Sequence, residues 1–404
     1  MPITLSAIER AAEVIADDVV RTPIGHSKTL SAMIGAGCEV WVKFENLQFT
    51  GAFKDRGSAN PLRSLSAAER ERGIIALSAG NHAQGVAYHA GRLGLRATIV
   101  MPASAPFNKV VNTRALGADV VQYGASFDDA QTKLDELQRQ HGYTYIPPYD
   151  DPAVIAGQGT IALEMLTDEP DLEVLVVPIG GGGLISGMAI AAKGIKPEIE
   201  VVGVQVASYA AVAAALRNEP APVGGVETVA DGIAVTALGE LTFPLIKEYV
   251  DDVLVVSEEA TEQAISLFLE IEKTVAEGAG AVPLAALLEH RERFAGRRVG
   301  LVLSGGNIDV RILASVLMRG MVRTGRISTL RLEIGDLPGQ LAPIVNTLAE
   351  VGANIVEIDH RRLFDPISAR TTTVDVVIET RDPSHREAVV DALEALGQRV
   401  EVLS

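Results

Sequence analysis

Along the first three-quarters of the chain, short apolar runs rich in β-branched residues alternate with stretches whose apolar positions fall three and four apart. The runs are EVWVKF at 39–44, GIIAL at 73–77, RATIVM at 96–101, ADVVQY at 118–123, EVLVVP at 173–178, IEVVGVQV at 199–206, DDVLVV at 251–256 and RVGLVL at 298–303. Runs without a polar alternate read as strands buried on both faces, and strand alternating with helix predicts an α/β fold with mostly parallel, open sheets. Eight strands exceed what one small sheet needs, so two lobes with a cleft between them are expected. Asp150, Asp151 and Pro152 mark one helix start, and Ser257, Glu258 and Glu259 another, because these residues satisfy or complement the free N–H groups of a first turn.

The rhythm changes near Ile327. STLRLEIGD reads as a strand, LPGQLAPIVNTLAEVGA as a helix starting after Pro338 and stopping at Gly352, and NIVEIDHRR as a strand; TTTVDVVIET, DPSHREAVVDALEALG and QRVEVL then read as strand, helix and strand. The order βαββαβ in so short a segment predicts a ferredoxin-like module. The boundary is placed in the turn at 323–328, giving a unit of residues 1–325 and a module of residues 326–404.

Composition narrows the classes. The chain has 404 residues, 48% hydrophobic and 22% charged, with a formal charge of -17. That balance suits a soluble globular protein and argues against binding to nucleic acid or to an anionic membrane surface. Between Glu173 and Lys193 the sequence carries no charge, but Pro178 and four successive glycines are incompatible with a membrane-spanning helix. A single cysteine, Cys38, and a polar N-terminus without an apolar signal region point to a cytoplasmic protein.

Four segments at strand ends carry candidate chemistry. Gly180, Gly181, Gly182 and Gly183, followed by Leu184, lie between a strand and a helix, where backbone can approach an anion closely and a helix N-terminus offers free N–H groups. No Gly-Lys-Ser/Thr follows, and the pattern is not G-x-G-x-x-G, so a small phosphorylated cofactor is expected before ATP or NAD. In TGAFKDRG, Lys54 follows Phe53 and small residues; held near apolar surface it becomes a usable nucleophile or base, and otherwise it is a surface lysine beside Asp55. Ser78, Ala79, Gly80, Asn81 and His82 form a polar loop entering a helix, suited to a carboxylate or to a simple helix cap. Ser304, Gly305, Gly306 and Asn307 end the last strand of the unit, where open α/β sheets hold their ligands.

Together, FENLQFTGAFKDRG, SAGNHAQG, PIGGGGLISG and LSGGNID, in this order, resemble the fold type II pyridoxal-phosphate enzymes, in particular the threonine ammonia-lyases. IPPYDDPAVIAGQGTIALE at 146–164 and TVAEGAGAVPLAAL at 274–287 fit the same group, and the module containing Asp336, Leu337, Pro338 and Gly339 resembles an ACT regulatory domain. The resemblance implies that Lys54 binds pyridoxal 5'-phosphate as a Schiff base, that Phe53 packs near the ring, and that Asn81 bonds the ring hydroxyl. It implies further that the N–H groups from Gly180 to Leu184 hold the phosphate, that Ser304 faces the pyridine nitrogen, and that Ser78, Gly80, Asn81 and His82 bind the substrate carboxylate. Asp336, Leu337, Pro338 and Gly339 become a candidate effector site, and no metal site is expected. Phe49, Ala52 and Asp55 depart from the more common RTGSFKIRG, which affects substrate access and loop contacts but not the Schiff base.

A serine at the pyridine nitrogen favours loss of a β-leaving group over transamination, because it stabilises a protonated ring less than an aspartate would. The expected reaction converts L-threonine to 2-oxobutanoate and ammonia, and L-serine to pyruvate, in a homodimer or homotetramer regulated by an amino acid. Serine racemase is the alternative within enzymes; racemisation needs a second acid on the far ring face, and the position where such racemases carry a serine is Ala79 here. A non-catalytic amino-acid sensor is the alternative outside them.

Overall fold

The computed structural model describes residues 3–361 and 370–403. The chain divides into two compact units, Met1–Asp309 and Val310–Ser404. The division falls ahead of the helix Val310–Arg323, and the turn at 323–328 lies inside the second unit.

In the first unit the strands are β1 (Ile24–His26), β2 (Glu39–Phe44), β3 (Ile74–Leu77), β4 (Ala97–Met101), β5 (Asp119–Gln122), β6 (Thr144–Tyr145), β7 (Val174–Pro178), β8 (Glu200–Val206), β9 (Asp252–Val256) and β10 (Arg298–Leu303). They form two sheets, one in the order β1-β2-β10-β7-β8-β9 and one in the order β5-β4-β3-β6. Every pairing is parallel except that of β1 with β2. Two of these strands, β1 and β6, are too short to show a pattern and are not among the runs read from the sequence. The parallel arrangement explains why β4 and β7 are buried at every position: helices cover both faces of each sheet. The larger core joins Ile161, Met165, Leu175, Val177, Ile185 and Met188, while the smaller one gathers Leu62, Ile74, Val86, Ile99 and Met101.

Local signals act as expected at the helix starts. Asp151 caps Pro152–Asp168 through the N–H groups of Ala153 and Val154, and Ser257 caps Glu258–Glu270. Gly182, at φ 89, is the N-cap of Gly183–Ile195, a backbone conformation that costs glycine nothing.

The second unit contains β11 (Ile327–Gly335), the helix Leu341–Val351, β12 (Asn354–Arg361), β13 (Thr371–Glu379), the helix Pro383–Ala395 and β14 (Val400–Val402). Its sheet is antiparallel throughout, ordered β12-β13-β11-β14, and Leu330, Leu332, Val374, Val376 and Ile378 face Ile344, Leu348, Val389 and Leu393. Position 362, the last of the run NIVEIDHRR, lies outside the described residues. Among the described residues no helix is long and apolar enough to cross a membrane.

Candidate active site

The four chemistry-bearing segments follow the carboxyl ends of β2, β3, β7 and β10, and backbone bonds lock the first and last together. Phe53 N–H donates to Ser304 O at 2.9 Å, Gly306 N–H donates to Gly51 O at 2.9 Å, and Ala52 pairs with Gly305 in an isolated bridge. Asn307 Nδ2 donates to Thr50 O at 2.7 Å and to Asn81 Oδ1 at 2.8 Å, which joins the loop after β3 to the same cluster.

Lys54 opens the helix Lys54–Arg63, and its Nζ donates to Pro148 O at 2.6 Å while lying 5.1 Å from the centre of the Phe53 ring. Burial of the ammonium pushes its pKa down to about 8, with the Glu277 carboxylate offsetting part of the effect. His82 is buried, its Nε2 is 2.9 Å from Ile146 O, and desolvation together with the Lys54 charge lowers it to about 3, so it is neutral at physiological pH. Gly80 N–H donates to Ser78 Oγ at 3.1 Å, and no side chain caps Asn81–Arg92. The helix-cap reading of Ser78 and Asn81 is therefore corrected: the N-cap is Gly80, and Asn81 points its amide elsewhere.

After β7 the backbone turns under Tyr149. A Cβ on Gly181 would lie 2.2 Å from the Tyr149 ring, and one on Gly183 would lie 3.0 Å from Tyr149 Cα, so only glycine permits this approach. Among the described residues, none of the N–H groups from Gly180 to Ile185 donates to a protein acceptor. Ser304 is 1% exposed, and its hydroxyl likewise bonds to no protein group.

Asn307 belongs to a segment the sequence singles out, without a role of its own there, and Glu277 lies outside that set. Glu277, 4% exposed, accepts from Asn81 Nδ2 at 2.7 Å, and burial, reinforced by Asp231, raises its pKa to about 7. Its signal in the sequence is an acid inside the apolar run TVAEGAGAV, which a buried carboxyl explains. Asp336, Leu337, Pro338 and Gly339 belong to the second unit, where they form an exposed turn after β11 with Gly339 at φ 90.

Beneath the site, Arg56 is fully buried between Glu45 and Glu164: Nε donates to Glu45 Oε2 at 2.8 Å and Nη1 to Glu164 Oε1 at 2.7 Å. Lys43 Nζ reaches Glu164 Oε2 at 2.5 Å. Two cations meet two carboxylates, so the buried set is neutral, as burial of charge requires.

A run of free N–H groups for an anion, a desolvated amine and an unpartnered hydroxyl at strand ends form a donor set that fits a phosphorylated aldehyde with a ring nitrogen. Residues 15–305 match the family model described as pyridoxal-phosphate dependent enzyme. The chain belongs to that family. It is 44% identical over 402 residues, 99% of this chain and 100% of the other, to an L-threonine ammonia-lyase of Thermotoga maritima. Solved structures similar to it include the processed form of threonine deaminase isoform 2 from Solanum lycopersicum (TM-score 0.74, 36% identity, 79% of this chain and 87% of that one). Another is the serine racemase of maize (TM-score 0.74, 34% identity, 80% and 99%). The fold is therefore shared by lyases and racemases, and pyridoxal phosphate is the family's cofactor.

Proposed function

We propose that this chain is a threonine ammonia-lyase that eliminates water from L-threonine to an imine, whose hydrolysis by water gives 2-oxobutanoate and ammonia, with L-serine as a second substrate giving pyruvate in the same way. The observation that supports it best is the conjunction of Lys54, with its lowered pKa, and the free N–H groups of residues 180–185, in a chain 44% identical over nearly its full length to a protein named L-threonine ammonia-lyase.

Pyridoxal phosphate, when bound, supplies an electron sink for the carbanion left by Cα deprotonation. The chain's own residues do the rest. The N–H groups from Gly180 to Leu184 hold the phosphate at the head of Gly183–Ile195, where the helix dipole favours an anion. Lys54 would hold the cofactor through its amine, and as a free amine its Nζ would take the Cα proton of the substrate; a pKa of about 8 keeps an appreciable fraction of free amine near neutrality. Phe53 would pack beside the ring and Asn81 would serve its hydroxyl. Ser304 would offer its unpartnered hydroxyl to the pyridine nitrogen without forcing a proton on it, a setting that suits elimination. Ser78, Gly80, Asn81 and His82 form the loop that receives the substrate carboxylate, through donors other than the His82 ring, because neutral His82 gives its one ring proton from Nε2 to Ile146 O. Ala79 stands where the resembling racemases carry a serine, so the second acid they would use is not supplied by that position, which supports elimination.

The strand order of residues 327–403 is that of a ferredoxin-like module, and we read it as an ACT domain whose turn at Asp336, Leu337, Pro338 and Gly339 receives an amino-acid effector. We further propose a catalytic unit that runs to residue 325, a homodimer or homotetramer, and a cytoplasmic location.

The test is a 2-oxo acid assay of the purified protein with both enantiomers of threonine and serine, together with Lys54→Ala. Product from the L-enantiomers, lost in the variant, supports the reading. Interconversion of the serine enantiomers faster than pyruvate formation refutes it.

A further inference from the structure

Glu277 presents an unusual arrangement for a buried acid. Its carboxyl accepts from an amide, Asn81 Nδ2, and among the described residues it makes no ion pair. Keeping such a group permanently ionised is costly, so its environment suits a group that changes protonation in use. The charged groups that act on it come from three elements: Lys54 from Lys54–Arg63, Lys109 from Phe107–Ala115 and Asp231 from the single turn Asp231–Ile233. The backbone N–H of Asn307 completes the shell. Lys109 Nζ bonds Asp231 Oδ2 at 2.8 Å; Lys109 follows β4 of the smaller sheet, and Asp231 lies between β8 and β9 of the larger one.

We propose that Glu277 is a positioning residue for the lyase reaction, orienting the Asn81 amide through a charge state that the Lys109–Asp231 pair sets. The inference rests on the proposed function. The Asn81 carbonyl oxygen is already committed to Asn307 at 2.8 Å and one amide hydrogen to Glu277, so the planar amide is pinned at both atoms and its second N–H is the donor left for a ligand. An ionised Glu277 holds the amide with a charge-assisted bond; a protonated Glu277 accepts more weakly and holds it less firmly. The Lys109 ammonium favours the ionised form, and the Asp231 carboxylate favours the protonated form. Because the pair bridges elements of the two sheets, any change in their separation alters Glu277 and, through it, Asn81.

The two partners of this one ion pair act with opposite sign, and the experiment exploits that. Lys109→Gln raises the midpoint at which Glu277 ionises, and Asp231→Asn lowers it, each by about half a pH unit or more. Two readouts follow the midpoint: the infrared band of a protonated carboxyl during a pH titration, assigned by its loss in Glu277→Gln, and the corresponding limb of the kcat/KM profile for L-threonine. A purely structural role for the pair predicts the same direction of change in both variants. Opposite shifts in both readouts support the proposal. Shifts in one direction, no shift, or an infrared band that persists in Glu277→Gln overturn it. If Glu277→Gln does not fold, the two other variants decide it through the kinetic limb, since the Asp231 side chain is 61% exposed and tolerates exchange. Absence of lyase activity in the unmodified protein would refute the proposed function, whereas the infrared titration reports on Glu277 regardless.

Discussion

Replacing Lys54 with methionine abolishes activity and, in the cofactor-free protein, is expected to increase stability. Methionine keeps an unbranched side chain of similar length and removes the charge. The amine ionises at about 8 in the folded protein against 10.5 in the reference state, and a displacement of this size corresponds to about 3 kcal/mol. The sign follows from proton uptake. Below about 10.5 the unfolded chain protonates while the folded one does not until about 8, so the unfolded state gains as pH falls across that window, and the full penalty is present below about 8. Methionine removes the penalty but orphans Pro148 O, whose accepted bond of 2.6 Å is worth about 1 kcal/mol. The variant should therefore be more stable than wild type by about 2 kcal/mol at pH 7, with the advantage nearly gone by pH 10. Urea unfolding of both cofactor-free proteins at the two pH values measures it. A variant less stable at pH 7, or a difference that does not change with pH, refutes the reasoning.

Gly181→Ala drives a Cβ into the Tyr149 ring and is expected to weaken pyridoxal-phosphate binding by about fivefold to a hundredfold, read from an absorbance titration, because overpacking costs about 1–3 kcal/mol. Arg56→Met strands Glu45 and part of Glu164 without a counter-charge and should destabilise the fold by about 3–5 kcal/mol in urea; Arg56→Lys restores the charge but not the fork and recovers only part of the loss. Ser304→Ala should lower turnover without destabilising the cofactor-free protein in calorimetry, since the buried hydroxyl serves no protein partner and its removal leaves no group unsatisfied.

Where physics is local, the sequence was legible. RVGLVL at 298–303 is β10 residue for residue, and Asp151, Ser257 and Asp382 cap helices because a capping side chain acts within three positions of itself. The glycine run and Lys54 were legible for the same reason, each lying in a short segment after a strand. What stayed hidden depends on distance along the chain. Nothing local states that β2 and β10 are neighbours, as parallel strands joined by long crossovers leave their order unspecified. Lys43 and Glu164, 121 positions apart, and Asn81 and Glu277, 196 apart, meet only in the folded chain. A buried acid in an apolar run announces a partner without naming it.

The Arg56 network also sets a limit on engineering. Lys54 and Arg56 lie two residues apart, so the segment that presents the amine also delivers a guanidinium into the interior. A designer who grafts residues 50–57 onto another scaffold transplants that positive charge with them, and the recipient must already offer carboxylates where Glu45 and Glu164 stand, one directly after β2 and ahead of the grafted segment, the other on the helix Pro152–Asp168. The portable unit of this chemistry is therefore not the lysine loop but the loop together with its acidic socket.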